Sequence, residues 1–124
     1  MTYSATKSRT AKTLVEEATF EFTLGNNEQA LEKLDQAIEQ EHACVDAWHA
    51  KAEILFSMKK LDDALSAAQK AHELNPKDVL INTTLSRVWM EKGDKKQAEY
   101  YGAQARLLGW KSEINDSKED ISQK

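Results

Sequence analysis

Apolar residues in this chain recur at helical spacing and change face at regular intervals. Between Val45 and Met58, the residues Trp48, Ala52, Leu55 and Phe56 fall at i, i+4, i+7 and i+8, which is one face of a helix. Lys59 and Lys60 interrupt the pattern. A second stripe then runs through Leu61, Ala64, Leu65, Ala68, Ala71 and Leu74. Asn75-Pro76 ends it, because proline lacks an amide donor and disfavours helix in the residue before it. Comparable pairs of stripes lie on either side. Gly25-Asn26 divides the earlier pair and Gly93-Asp94 the later one. Glycine suits the residue just past a helix, and Asn or Asp suits the cap of the next.

The pairs are copies of one unit. At steps of 34 residues Ala30, Ala64 and Ala98 align, as do Ala37, Ala71 and Ala105. Ala18 and Ala52 align with Ser86, Phe22 and Phe56 with Met90, and Gly25 and Gly93 with Lys59 between them. Small residues belong where two antiparallel helices approach closely, so the alanine columns are expected at the helix crossings. Large columns such as Leu14/Trp48 and Leu55/Trp89 are expected to fill the spaces between helices and units. The pattern predicts an all-α chain. It has an N-terminal extension over residues 1–10 and three repeats at 11–44, 45–78 and 79–112. Residues 113–124 form a polar tail or a short capping helix, begun at Ser112 and using Trp110, Ile114 and Ile121. An apolar end left uncovered on the third unit would invite self-association.

Composition agrees with long helices, since the 124 residues include only 4 Gly and 1 Pro. The net charge of −4, from 17 basic and 21 acidic residues, shows neither the basic excess nor the basic stripe of a nucleic-acid binder. No apolar run approaches a membrane span, and the N-terminus lacks the apolar stretch of a secretory signal. One cysteine, Cys44, excludes an internal disulfide. These features lead to an expectation of a cytoplasmic location.

Units of two helices in 34 residues resemble tetratricopeptide repeats. The middle unit carries the signature best, in Trp48, Ala52, Leu55, Ala64, Ala71 and Pro76. The third keeps Leu85, Trp89, Gly93, Ala98 and Ala105 but has Ser86 for alanine and Trp110 for proline. The first keeps Leu14, Ala18, Gly25, Ala30 and Ala37, with Glu17 and Glu21 at apolar sites and His42 in place of proline. The resemblance implies a right-handed superhelical stack of three antiparallel helix pairs. It also implies a concave surface lined by the first helix of each unit.

By that resemblance the groove carries Lys12, Val15, Glu16, Thr19, Phe22 and Thr23 from the first unit. Asp46, His49, Ala50, Glu53, Phe56 and Ser57 come from the second, and Leu80, Thr83, Thr84, Arg87, Met90 and Glu91 from the third. Apolar residues among them suit an apolar or amphipathic protein segment, and an acidic excess suits a basic residue on it. The competing reading of Phe22, Phe56 and Met90 is burial between helices. The members of the family that grip the carboxylate end of heat-shock chaperones use lysine, asparagine and arginine at positions occupied here by Val15, Thr19, Ala50, Leu80 and Thr84. That clamp is absent. The expected function is therefore a non-catalytic protein-interaction module. The alternative is a self-assembling repeat protein that dimerises through its terminal repeat.

Chemistry finds little support. His42, Cys44 and His49 lie close in sequence but lack the paired spacing of a zinc site and anything to orient a Cys–His nucleophile. The four glycines are isolated, so there is no phosphate loop. No cofactor, metal or catalytic residue is expected.

Overall fold

The computed structural model describes residues 10–122, with side chains described to residue 115. Among them six helices follow one another: α1 (Ala11–Thr23), α2 (Asn27–Gln40), α3 (Val45–Ser57), α4 (Leu61–Leu74), α5 (Val79–Glu91) and α6 (Lys95–Ser122). They pair as α1–α2, α3–α4 and α5–α6, and each pair packs on the next. The result is an all-α helical solenoid. Contacts run between neighbouring pairs only, with none between the first pair and the third.

Three of the helix starts are capped by side chains. Thr10 caps α1, its Oγ1 accepting from the Thr13 amide at 3.1 Å. Asp78 caps α5 through the Ile81 amide at 3.0 Å, and Asp94 accepts from the Gln97 amide at 3.1 Å at the start of α6. Asn26, expected to cap α2, does not. Its Nδ2 donates to Glu21 Oε1 at 2.8 Å, so the side-chain amide is tied to α1 rather than to the start of α2.

The turn inside each pair is the same structure three times. Asn26, Lys60 and Asp94 donate their amides to the carbonyls of Glu21, Leu55 and Trp89 at 2.9, 2.9 and 3.0 Å, six residues closing on one. The residue before each lies in the left-handed region: Gly25 and Gly93 at φ 85°, and Lys59 at φ 64°. Glycine takes this conformation readily, whereas lysine is strained in it.

The alanine columns expected at the helix crossings are buried. Ala30, Ala64 and Ala98 are at most 1% exposed. Between them Leu14, Leu34, Ile81, Leu85 and Val88 are fully buried, each stabilising the fold by about 1.5–3 kcal/mol. The two joints between units use opposite arrangements of volume. In the first, large Leu34 and Ile38 of α2 meet small Ala47 of α3. In the second, small Ala67, Ala68 and Ala71 of α4 meet large Ile81 and Leu85 of α5. Trp48 belongs to both clusters and spans them.

The two ends differ. The α1 column that a preceding unit would cover carries exposed Phe20, at 63%. Its equivalents in the later units, Ile54 and Val88, are buried beneath the unit before. At the other end, the positions of Leu31, Leu34 and Ile38 in α2 are taken in α6 by Glu99, Gly102 and Arg106. That end of the stack is therefore closed by polar and small residues. The C-terminal segment is continuous with α6, with no new start at Ser112. Ile121 lies outside the described side chains.

Candidate functional site

The first helices α1, α3 and α5 are neighbours in the stack and present one side each to a shared surface. The residues expected there fall into two groups. In α1, Val15 and Phe22 are half-buried against the first core cluster. Thr19 is exposed, and its hydroxyl donates to the Val15 carbonyl at 3.0 Å, so the side chain is folded onto its own helix.

The second group spans α3 and α5 and is held together by two cross-unit contacts. His49 Nε2 lies 2.9 Å from Thr84 Oγ1. The Thr84 hydroxyl donates to the Leu80 carbonyl at 3.0 Å, which uses its single hydrogen. His49 Nε2 is then the donor of that contact and Thr84 Oγ1 the acceptor. Thr84 is buried by this arrangement, at 2% exposed, and offers nothing to a ligand. The Arg87 guanidinium lies over the Phe56 ring, 4.7 Å from its centroid. Phe56 is otherwise packed on the cluster around Leu55, Ala64 and Val88. Glu53 is exposed beside them. Leu80 and Met90, 66% and 55% exposed, are the apolar residues most open on this side of α5.

A cleft of about 310 Å³ opens next to the α1 group, lined by Lys12, Val15, Glu16, Glu41, Cys44 and Asp46. Three carboxylates face one lysine there. Glu41 and Cys44 were not legible as part of it, because they lie in the turn between α2 and α3 rather than on a first-helix face. A second cleft, about 430 Å³, lies between α3 and α4 and is lined by Trp48, Lys51, Leu55, Asp63, Ser66, Ala67 and Lys70. Trp48 is fixed at its edge by donating Nε1 to the His42 carbonyl at 2.9 Å.

The His42, Cys44 and His49 triplet is dispersed. His42 is exposed, Cys44 is buried in the first core cluster, and the His49 ring is engaged by Thr84. Among the described residues, no three His, Cys, Asp or Glu side chains are grouped to hold a metal. No helix among them is long and apolar enough to cross a membrane.

Antiparallel helix pairs at a 34-residue period, with alanine at the crossings and the first helices sharing one face, define a tetratricopeptide-repeat solenoid. The sequence profile described as "N-terminal acetyltransferase A, auxiliary subunit" matches residues 6–105, and the chain belongs to that family. Solved structures bear out the fold. A crystal structure of MamA superposes with a TM-score of 0.81 at 20% identity, over 86% of this chain and 62% of that one. A second MamA structure gives 0.77 at 20%, over 86% and 58%. This chain thus spans about three fifths of the MamA chains it matches. The second tetratricopeptide domain of Spaghetti (RPAP3), bound to the HSP90 peptide SRMEEVD, gives 0.77 at 17% identity, over 87% of this chain and 99% of that one. A comparison with curated proteins finds no match.

Proposed function

We propose that this chain is a non-catalytic protein-binding module that holds an apolar or amphipathic segment of another protein against α1, α3 and α5. The observation that carries the reading is the exposure of Leu80 and Met90 on α5, on the side where Phe56, Arg87 and His49 form a packed floor. Large side chains left open beside a rigid, cross-linked surface are what a docking segment would cover. The acid-rich cleft around Val15 suits a basic side chain at one end of that segment. Two likenesses support the class of function. The family is described as an auxiliary subunit, a component that accompanies another chain. One structural neighbour of the same fold is bound to a peptide.

The mode of binding differs from that of a carboxylate clamp. Val15, Thr19, Ala50, Leu80 and Thr84 supply no cation. His49, next to Ala50, is engaged by Thr84.

A photo-crosslinking residue placed at Leu80 or Met90 tests the reading, with Gln69 on the exposed face of α4 as the control. Both α5 positions should capture the same partner from native extract, and Gln69 should not. Equal capture from Gln69, or none from either α5 position, would remove this surface as the binding face.

A further inference from the structure

The exposed face of α6 departs from the rest of the solenoid. On α2 that face carries Glu32, Asp35 and Glu39, and on α4 Ser66, Gln69 and Glu73, all exposed. At the same positions α6 carries Tyr100, Ala103 and Leu107, also exposed. The stripe continues through Trp110 to half-buried Ile114. Tyr100, Leu107 and Trp110 are 56%, 42% and 60% exposed. The spacing 100, 103, 107, 110, 114 alternates three and four, the 3.5-residue period of a seam between two helices.

The helix is also long enough to use it. α2 and α4 end at Gln40 and Leu74, whose equivalent in α6 is Leu108, yet α6 runs on to Ser122. The extra length is about 21 Å at the helical rise.

We propose that α6 pairs antiparallel with α6 of a second copy of this chain through this stripe. The flanking charges select both the occupant and the direction. Arg106 and Glu113 lie on the same side of the seam, and neither has an ion-pair partner among the described residues. An antiparallel pair with its twofold axis beside residues 108 and 109 sets Leu107 against the partner's Trp110 and Ala103 against the partner's Ile114. It also sets Arg106 beside the partner's Glu113. Each contact occurs twice by symmetry, large residues meet smaller ones, and opposite charges meet. A parallel pair would set Arg106 beside the partner's Lys111 and Trp110 against its own copy. The polar end made by Glu99 and Arg106 leaves the end of the stack a poorer route to self-association than this flank.

Sedimentation equilibrium between about 1 and 100 μM tests the pairing, a range chosen to bracket a modest interface. The full chain should be a dimer at the upper end. Trp110→Glu should weaken it by at least about thirtyfold, as expected for loss of a central aromatic anchor. Because Trp110 is exposed, the circular dichroism of that variant should be unchanged. Arg106→Glu and Glu113→Arg should each weaken the dimer, and the double exchange should restore it, a rescue that requires no change in folding. A monomer at 100 μM, association that grows without closing at two, a dimer indifferent to Trp110→Glu, or a double exchange without recovery would each overturn the proposal. None of these outcomes bears on the groove formed by α1, α3 and α5, which lies on other helices.

Discussion

Lys59→Gly should stabilise this protein, although it removes an ion pair and adds a glycine. Lys59 stands at φ 64° in a turn whose two counterparts are glycines at φ 85°. A side chain in the left-handed region costs about 1–2 kcal/mol, and glycine relieves that cost. The glycine in turn loses about 0.5–1 kcal/mol through the greater freedom of the unfolded chain. The Lys59–Glu91 pair spans 3.6 Å, but its side chains are 75% and 47% exposed, so it contributes little. The balance is a gain of about 0.5 kcal/mol, or roughly 2 °C in Tm for a chain of this size. Thermal unfolding followed at 222 nm measures it, with Lys59→Ala as the comparison, since alanine removes the charge and keeps the strain. The reciprocal substitutions Gly25→Ala and Gly93→Ala should each cost about 1 kcal/mol. A β-carbon at either glycine meets nothing within 4 Å, so that loss would report backbone conformation alone. If Lys59→Gly melts no higher than Lys59→Ala, the strain assigned to this turn is wrong.

Other outcomes follow from the same structure. Ala64→Trp should destabilise by about 3 kcal/mol or more, because the site is 0% exposed at the α3–α4 crossing; an unchanged melting temperature would misplace the crossing. Asp78→Ala should cost about 1 kcal/mol by freeing the Ile81 amide, measurable by urea titration with the slope unchanged. The acidic peptide SRMEEVD, seen bound to a neighbour of this fold, should give no heat on titration into this chain. Micromolar binding would contradict the absence of a cationic clamp.

The fold was legible because its determinants repeat. Three alanines at one column report one crossing three times, and Gly25 and Gly93 made the turn at Lys59 readable even without its glycine. What was hidden depended on partners from elsewhere in space. Asn82 looks like a surface residue of α5, yet it is 1% exposed. Its Nδ2 donates to the Pro76 and Asp78 carbonyls at 3.1 and 2.8 Å, tying the turn between units to the helix. Thr84 looked like a groove contact and is buried because His49, 35 positions earlier, reaches it. Asn26 had the right residue type for a cap, but its amide is tied to Glu21 of the preceding helix. The stripe on α6 was visible only in part, as Trp110 and Ile114. Its meaning depends on the acidic face that the same column presents on α2.

The opposite volumes at the two joints have a consequence for how the chain can go wrong. Repeats of like sequence invite mispairing, in which one unit docks on the wrong neighbour or on that of another molecule during folding. Here Leu34 and Ile38 fit against Ala47 but would collide with Ile81 and Leu85. Ala68 and Ala71 fit against Ile81 but would leave a void against Ala47. A skipped or shuffled order therefore suffers either overlap or cavity. The sequence of units is written in side-chain size as well as in the covalent chain, so a copy of residues 45–78 inserted after itself would join poorly unless its first helix were also enlarged.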